Sequence, residues 1–354
     1  MARVRCVMMQ KDESLLLEPW LLYNGYLFGF ENLTVFDNGS VLPDVIATLA
    51  RFELAGVTVI RGHDQPNDWV IKGHLLSFVI QAWDKQGGYD FAIPFDCDEF
   101  LAVFTEGGLS CKRSDIHAYL DTLIGEEGVF SIDTTNFNLP GRPGWFWPGH
   151  GSKRFFAADT IGTLDHGYHI ATSRRSDAVL PTELTHMHFH HKPYATLLEH
   201  SRRKLMHYVD VDDLEALRVF TGPNCHLVRH FLQPEKDYLD QFDNNLLFGY
   251  AGLSQVMQAL GTSSPMFALP KDDVSPAGSE QVTVRVPPSA AGPGGIMLFD
   301  PAAYRARYID VAAAGVLPLR HYMFNGFNEA RIPTDQRSRP AEQPLAWTAP
   351  TSET

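Results

Sequence analysis

Segments with the patterns of strands and of helices alternate along the first hundred residues, and this alternation restricts the fold more than any other feature of the sequence. Apolar, partly β-branched runs typical of strands lie at 4–9, 33–36, 57–60 and 91–95. Between the runs, apolar residues recur at helical spacing, for example at Val45, Leu49 and Phe52. Strands that alternate with helices form a mostly parallel sheet flanked by helices. We therefore predict a Rossmann-like α/β fold.

Three of the strand-like runs are followed by polar residues. The segments are Lys11-Asp12-Glu13, Asp37-Asn38 and Asp96-Cys97-Asp98. In open α/β sheets, ligands bind beyond the carboxyl ends of the strands, which parallel neighbours bring to one edge. The three segments together therefore predict one pocket. Each segment by itself is equally well explained as the polar turn that must follow a strand.

Asp96 and Asp98 are the residues most indicative of chemistry. They lie two residues apart directly after the apolar run Phe91 to Phe95, so their carboxylates point the same way in an extended segment. Mg²⁺ and Mn²⁺ prefer such oxygen ligands and keep positions open for substrate phosphates. The pair predicts a site for one of these ions, and the alternative is a solvated turn.

A histidine-rich segment lies at residues 185–192. Its four histidines are His186, His188, His190 and His191. In a strand, the first three would lie on one face and the fourth on the other. We expect at least one of the four to be a metal ligand, because imidazole suits manganese and suits zinc better. The alternatives are a dedicated zinc site and histidines that only line a polar cleft.

Three further residues have the chemistry to bind a nucleotide. The Asp37 carboxylate suits a hydrogen bond from the N–H of a uracil-type base, and it equally suits the first position of an Asp-Asn-Gly turn. Lys72 and Lys192 carry charges that suit phosphates. The alternative for each lysine is a solvated position on the surface.

Four motifs occur in an order that resembles one enzyme family. They are Lys11-Asp12-Glu13, Glu18-Pro19-Trp20, Phe36-Asp37-Asn38-Gly39-Ser40 and Phe95-Asp96-Cys97-Asp98-Glu99-Phe100. Over residues 1–210 the chain resembles the family-two-like glycosyltransferases of GT-A fold, in the branch similar to glycosyltransferase family 92. The motifs of that branch read K-N-E, E-W, D-N-x-S and D-x-D-E-F. The chain departs from them at Asp12, which replaces the usual Asn, and at Pro19, which interrupts the Glu-Trp pair.

The resemblance implies a UDP-sugar or similar nucleotide-sugar donor, Mn²⁺ or Mg²⁺ as cofactor, and transfer with inversion to a glycan or lipid-linked acceptor. Residues 188–192 match the family's His-aromatic-x-x-Lys pattern, so the implied metal ligands are Asp96, Asp98 and His188. The expected nucleotide-binding residues are Lys11, Glu13, Asp37, Asn38, Lys72 and Lys192. Inversion needs a general base for the acceptor hydroxyl. The candidates for that base are Asp133, Glu99 and Asp165.

A change of composition near Gly261 predicts the domain organisation, because the last 93 residues hold 12 of the 23 prolines. We expect a GT-A-like catalytic domain at 1–261, a Pro/Gly/Ser-rich linker at 262–295 with a strand at 281–286, a small helical module at 296–335 and a disordered tail at 336–354. The module resembles one appended to bacterial polysaccharide-related proteins, with the pattern FDxxxYxxxxxDV…HY…G…R-x-P, which favours polysaccharide biosynthesis. Within the first domain we expect a strand at 129–132, a long surface loop at 138–151 and a helix that follows residue 192 to about residue 208.

Charge, cysteine content and hydropathy argue against several classes of protein. The formal net charge of −13 makes general nucleic-acid binding unfavourable. The four cysteines form no CxxC pair, so neither a zinc ribbon nor a thioredoxin motif is supported. No stretch approaches the roughly 20 apolar residues that span a membrane, and the apolar run within residues 1–11 is too short for a signal peptide. We expect a cytoplasmic protein with reduced thiols and no transmembrane segment.

Two other functions compete with glycosyl transfer. One is a zinc hydrolase built on the histidines at 186–191. The other is a non-catalytic carbohydrate-binding protein that uses Trp145 and Trp147 as platforms for sugar rings. Zinc that binds without nucleotide would favour the hydrolase, and release of UDP from a donor would exclude a pure binding protein.

Overall fold

The computed structural model describes residues 1–262, 264–269, 281–287 and 294–334. The strands are β1 (Val4–Gln10), β2 (Leu33–Asp37), β3 (Thr58–Ile60), β4 (Phe91–Phe95), β5 (Glu99–Thr105), β6 (Gly108–Ser110), β7 (Val129–Leu139), β8 (Arg142–Ala157), β9 (Ile161–Leu164), β10 (Ala171–Ser173), β11 (Val179–Pro181), β12 (Leu184–His188), β13 (Leu247–Gly249), β14 (Thr283–Val286) and β15 (Gly295–Leu298). The α-helices are α1 (Leu17–Phe28), α2 (Pro43–Leu54), α3 (Pro66–Val70), α4 (Lys72–Gln86), α5 (Arg113–Asp121), α6 (Tyr194–Leu205), α7 (Leu214–Val219), α8 (Arg229–Leu232), α9 (Glu235–Asp240), α10 (Gly252–Ala259), α11 (Pro301–Arg307), α12 (Ile309–Ala313) and α13 (Pro318–His321). A π-helical turn, Tyr322–Gly326, follows α13.

Thirteen of the described strands form one mixed sheet. Its central order is β3-β2-β1-β4-β8-β7-β12-β5-β6, and β9 and β10 form a separate two-stranded sheet. The predicted α/β class, a sheet flanked by helices, is confirmed. The first four strands of this order are parallel, whereas most of the later strands are added antiparallel.

The parallel part of the sheet aligns the strand ends that the sequence marks as polar. Gln10 at the end of β1 lies opposite Asp37 at the end of β2, and Met8 lies opposite Phe95, the last residue of β4. Every residue of β2 and β4 is buried, as expected for strands covered on both faces. The three polar segments therefore begin at one edge of the sheet, as predicted.

Residues 138–151 do not form the predicted surface loop. They belong to a long antiparallel hairpin of β7 and β8, which turns at Gly141 with a φ of 71°. Leu139 and Trp145 pack with Phe242 and Leu247 in a small buried cluster. The loop prediction is wrong because this packing outweighs the glycine- and proline-rich composition of the segment.

Strand β12 carries the first histidines to the turn between β4 and β5. It runs parallel to β7 and antiparallel to β5, so that His188 lies between Phe137 and Glu99. The strand ends at His188, so His190 lies just beyond it, and the two imidazole rings lie close together, with centroids 5.4 Å apart. The predicted helix after residue 192 is confirmed as α6, which ends at Leu205.

The C-terminal segments extend the same sheet and core. β13 pairs with β8, β14 with β13, and β15 with β14. Two strands therefore lie at the end of the predicted linker and at the start of the module, and β14 matches the strand expected at 281–286. Side chains from the module join the hydrophobic cluster that contains the N-terminal strands, and Phe324 packs edge-on against Phe104 at 6.2 Å between ring centroids. The boundary at residue 261 remains a proposal, and the predicted tail at 336–354 lies outside the described residues.

Among the described residues, no helix combines the length and apolar character that a membrane span requires.

Candidate functional site

The end of β2 is held in shape by side chains of the neighbouring strand ends. Gln10 donates hydrogen bonds to Oδ1 of Asp37 at 3.0 Å and to the Ser40 hydroxyl at 3.1 Å. The same Asp37 oxygen accepts the Ser40 N–H at 3.1 Å. The Asn38 amide donates to the carbonyl of His63. The turn role predicted for Asp37 is present, and it uses one of the two carboxylate oxygens.

The first polar segment combines a left-handed residue with an ion pair. Asp12 has a φ of 52°, and its Oδ1 accepts the N–H groups of Val41 and Leu42 at 2.7 and 2.9 Å. The Asp that replaces the family's Asn therefore still serves as an acceptor. Both carboxylate oxygens of Glu13 accept from Nζ of Lys192, at 2.8 and 3.0 Å. This pair joins the end of β1 to the segment after β12, whereas Lys11 is exposed.

Asp96 lies in a buried ionic network. Its Oδ1 accepts from Lys72 at 2.7 Å and its Oδ2 from Lys153 at 2.5 Å. Lys153 also contacts Glu99 at 3.1 Å. The ammonium groups of Lys72 and Lys153 lie over the ring of Tyr168, at 4.6 and 5.1 Å from its centroid. Burial alone would raise the pKa of Asp96, but the two lysines hold that pKa below its usual value. Two cations and two carboxylates thus neutralise each other, and Asp96 is the member of the network that keeps the most exposure to solvent, at 26% of its side chain.

This network changes the roles predicted for two residues. Lys72, expected to contact phosphate, donates to Asp96 and is only 4 % exposed. Glu99, a candidate base, is 1 % exposed, pairs with Lys153 and accepts the Asp96 N–H at 3.1 Å. Lys153 was missed by the sequence analysis. Its position near the apolar pair Phe155-Phe156 could have indicated its role, because a lysine in a buried strand needs a carboxylate partner.

Asp98 faces histidines instead of lysines. Its Oδ2 lies 3.3 Å from Nε2 of His188. Ligand atoms of Asp98, His188 and His190 all lie within 4.8 Å of one another. Burial alone would raise the pKa of Asp98, but the positive charge and hydrogen bond of His188 lower it. Burial would likewise lower the pKa of His188, but Asp98 raises it to about 9. One carboxylate and two imidazoles with this spacing fit a divalent metal ion, and Asp96 is not a member of the group.

Backbone contacts fix the segment that carries His190. The Phe189 N–H donates to the carbonyl of Asp98 at 2.7 Å. The Asn138 side chain donates to the carbonyl of His191 at 2.7 Å and accepts its N–H at 2.9 Å. His190 lies between these two anchored residues, so its position is set by hydrogen bonds on both sides.

The other two histidines pack against aromatic rings, and only His186 is fully buried. His186 is 1 % exposed and packs edge-on against Phe95 at 5.8 Å between ring centroids. Burial lowers the pKa of His186 to about 4. His191 packs against Phe242 at 4.7 Å, and burial lowers its pKa to about 3. Both are neutral near pH 7.

The remaining base candidates lie outside the Asp98 group. Asp133 accepts from the Ser131 hydroxyl and from Arg154. Asp165 accepts the N–H groups of Gly167 and Ile170, at 3.2 and 2.8 Å, within the turn between β9 and β10. Both carboxylates have partners that explain their positions without catalysis.

The two tryptophans predicted as sugar platforms pack inside the molecule to different extents. Trp145 is only 3 % exposed. Trp147 stacks on Phe137, with ring centroids 5.4 Å apart, and contacts Phe242 at 5.8 Å. Aromatic packing in the hairpin covers ring faces that a sugar would need, which argues against a carbohydrate-binding surface on these residues.

Comparison with known proteins gives distant likenesses in fold. No family model and no curated protein matches the chain. The chain is similar to glucosyl-3-phosphoglycerate synthase from Mycobacterium tuberculosis, solved with Mn²⁺, UDP-glucose and phosphoglyceric acid, at 15% identity and a TM-score of 0.31, covering 58% of this chain and 77% of that one. It is also similar to S. aureus TarS 1–349, at 10% identity and a TM-score of 0.29, covering 68% and 73%. Likenesses as distant as these do not show a function for this chain.

Proposed function

We propose that this protein is a metal-dependent glycosyltransferase that uses a nucleotide-diphosphate sugar, with a UDP-sugar favoured. The proposal extends to inverting transfer onto a glycan, polysaccharide or lipid-linked acceptor. One observation supports it above the others. Residues from four distant segments, Glu13, Asp37, Asp98 and the pair His188 and Lys192, are the residues of the resembled motifs, and they belong to segments that meet at the carboxyl edge of the sheet.

The metal ligands in this proposal are Asp98 and His188, whose donor atoms are 3.3 Å apart. A bound Mn²⁺ or Mg²⁺ supplies positive charge that neutralises the departing diphosphate. Asp96, the other predicted ligand, accepts a hydrogen bond from a lysine at each of its oxygens. We propose that Asp96 mainly positions Lys72 and Lys153 beneath the site.

The chain's own groups account for binding of the donor. Lys192 is 15% exposed and carries the charge proposed to contact the diphosphate, with Glu13 as its present partner. Asp37, Asn38 and the exposed Lys11 lie at the strand ends proposed to bind the nucleoside. A general base is not assigned, because Glu99, Asp133 and Asp165 all hold neighbouring groups in place.

The test is a thermal-shift series with nucleotide sugars, followed by an assay for UDP release. A ligand that binds only the native state raises its stability, so a donor should raise the melting temperature more with Mn²⁺ than without. Asp98→Asn should abolish most Mn²⁺-dependent UDP release while circular dichroism stays unchanged. The matched control is Asp177→Asn, at an exposed aspartate. Normal UDP release by Asp98→Asn would contradict the site.

A zinc hydrolase is the second candidate, because Asp98, His188 and His190 together suit zinc as well as manganese. Tight stoichiometric zinc, bound equally with and without nucleotide, would favour hydrolysis. Mn²⁺-dependent binding of UDP would favour glycosyl transfer.

A further inference from the structure

We propose that His190, and not Asp96, is the third protein ligand of the metal site, and that the site therefore selects transition-metal ions over Mg²⁺. The inference rests on the proposed metal-dependent function, since it names the ligand set of the same site.

The donor atoms of this trio already converge. Those of Asp98, His188 and His190 lie within 4.8 Å of one another, and the two imidazole centroids are 5.4 Å apart at 77°. An ion with ligand bonds of about 2.1 Å keeps its ligand atoms within about 4.2 Å of one another. Small side-chain rotations are therefore sufficient to close the set. His190 is exposed, which leaves one side of the trio open for a substrate group.

The backbone on both sides of His190 is pinned, so its approach to Asp98 is built into the fold. The residue before it donates its N–H to the Asp98 carbonyl at 2.7 Å. The residue after it exchanges two hydrogen bonds with the side chain of Asn138. The same turn that positions the Asp98 carboxylate therefore positions the segment of His190.

Asp96 is unsuited to the ligand role. Each of its oxygens accepts from a lysine, at 2.7 Å for Lys72 and 2.5 Å for Lys153. A divalent ion on this carboxylate would add its charge beside two buried ammonium groups. Removing either lysine from Asp96 would leave a charge buried without its partner, which is strongly unfavourable.

The ligand set determines the metal preference. Mg²⁺ requires oxygen ligands in near-octahedral geometry and rarely accepts imidazole. Two imidazoles and one carboxylate suit Co²⁺, Zn²⁺ and Mn²⁺, with affinities that increase from Mn²⁺ to Zn²⁺. A site built on two aspartates and one histidine would discriminate less against Mg²⁺.

The experiment is a titration of the metal-free full-length protein with Co²⁺, followed by its visible absorption bands. We expect one Co²⁺ per chain, displaced by Zn²⁺ and not by a large excess of Mg²⁺. His190→Ala should weaken Co²⁺ binding by at least about 10-fold, because losing even a residue that only supports a ligand commonly lowers metal affinity by about that factor. Asp96→Asn should change it much less. His190→Asp should still bind Co²⁺ and should bind Mg²⁺ more tightly than the wild type does.

The control is His186→Ala, at the buried histidine two residues before His188, which should bind Co²⁺ normally if the variant is folded by circular dichroism. The inference fails if His190→Ala binds Co²⁺ like the wild type, or if an Asp96→Asn protein that is folded by circular dichroism loses Co²⁺ to the same extent.

UDP release, measured separately, distinguishes this inference from the proposed function. If Co²⁺ binding depends on His190 but no donor releases UDP, the proposed ligand set stands and the proposed glycosyltransferase function is rejected. Metal-dependent UDP release by a His190→Ala protein with unchanged Co²⁺ affinity would reject the ligand set alone.

Discussion

At the residue scale, Asp96 and Asp98 have different electrostatic surroundings although they are two positions apart. Asp96 contacts two ammonium groups, and Asp98 contacts the imidazole of His188. The turn between β4 and β5 separates them, so one carboxylate joins the two lysines and the other faces the histidine segment, although the two side chains are about equally exposed. The sequence motif does not distinguish the two aspartates. Their different surroundings come from lysines and histidines that are distant in sequence.

Buried neutral histidines should make the protein sensitive to acid. Burial lowers the pKa of His186 from 6.5 to about 4. Between these two pH values, His186 is protonated in the unfolded chain and largely neutral in the folded chain. The free energy of unfolding should therefore fall as the pH drops from 6.5 towards 4, by up to about 1.4 kcal/mol per pH unit for this one proton. Above pH 6.5 this contribution is fully present.

We predict that His186→Leu makes the stability less dependent on pH over that range. The measurement is urea unfolding at several pH values in the presence of a chelator. His207→Leu, at an exposed histidine, should leave the wild-type slope unchanged. An equally steep slope in His186→Leu would assign the acid sensitivity to other groups.

At the scale of elements, the β7–β8 hairpin holds several parts of the site in place. β7 pairs with β12 through Phe137 and His188, β8 supplies Lys153 to the ionic network, and Asn138 pins the segment beyond β12. A segment whose composition suggests a loop is therefore the scaffold that holds the histidines in register with the turn between β4 and β5.

Asn138→Ala should weaken metal binding without unfolding the protein. It removes both hydrogen bonds to His191 and frees the adjacent His190, and such supporting contacts are commonly worth about 10-fold in metal affinity. The measurement is the same Co²⁺ titration. If Asn138 acts through His190, the double variant Asn138→Ala/His190→Ala should bind Co²⁺ no more weakly than His190→Ala alone. Additive losses would show that Asn138 acts elsewhere.

At the scale of the whole molecule, one hydrophobic core includes both ends of the described chain. β13, β14 and β15 continue the sheet beyond β8, and Tyr304, Leu319 and Tyr322 from the C-terminal helices join the cluster that contains β1, β2 and β4. The C-terminal segment is therefore a structural part of the folded protein as described.

Removing the chain after residue 262 should give an insoluble or unfolded protein. The truncation uncovers apolar residues such as Phe104 and deletes their partners, among them Phe324, and losing a large buried side chain alone commonly costs about 3–5 kcal/mol. Expression yield and urea unfolding are the measurements. Leu319→Asp in the full chain, at a residue with no exposed surface, should be strongly destabilised as well. A soluble, cooperatively unfolding 1–262 fragment would support the boundary proposed at residue 261.

The sequence by itself determined the α/β class, the strands β1 to β4 and the single edge where Asp37, Asp96 and Asp98 begin, because strand and helix periodicity and polar strand ends are local properties. Only the tertiary structure decided that Lys72 and Lys153 occupy Asp96, that Glu99 is buried, and that His190 joins His188 at Asp98. Those pairings connect residues tens of positions apart through the order of strands in a sheet. The same reason explains the hairpin at 138–151: its aromatic residues become core only when β13 and the segment of Phe242 pack on them, and no local pattern records that contact.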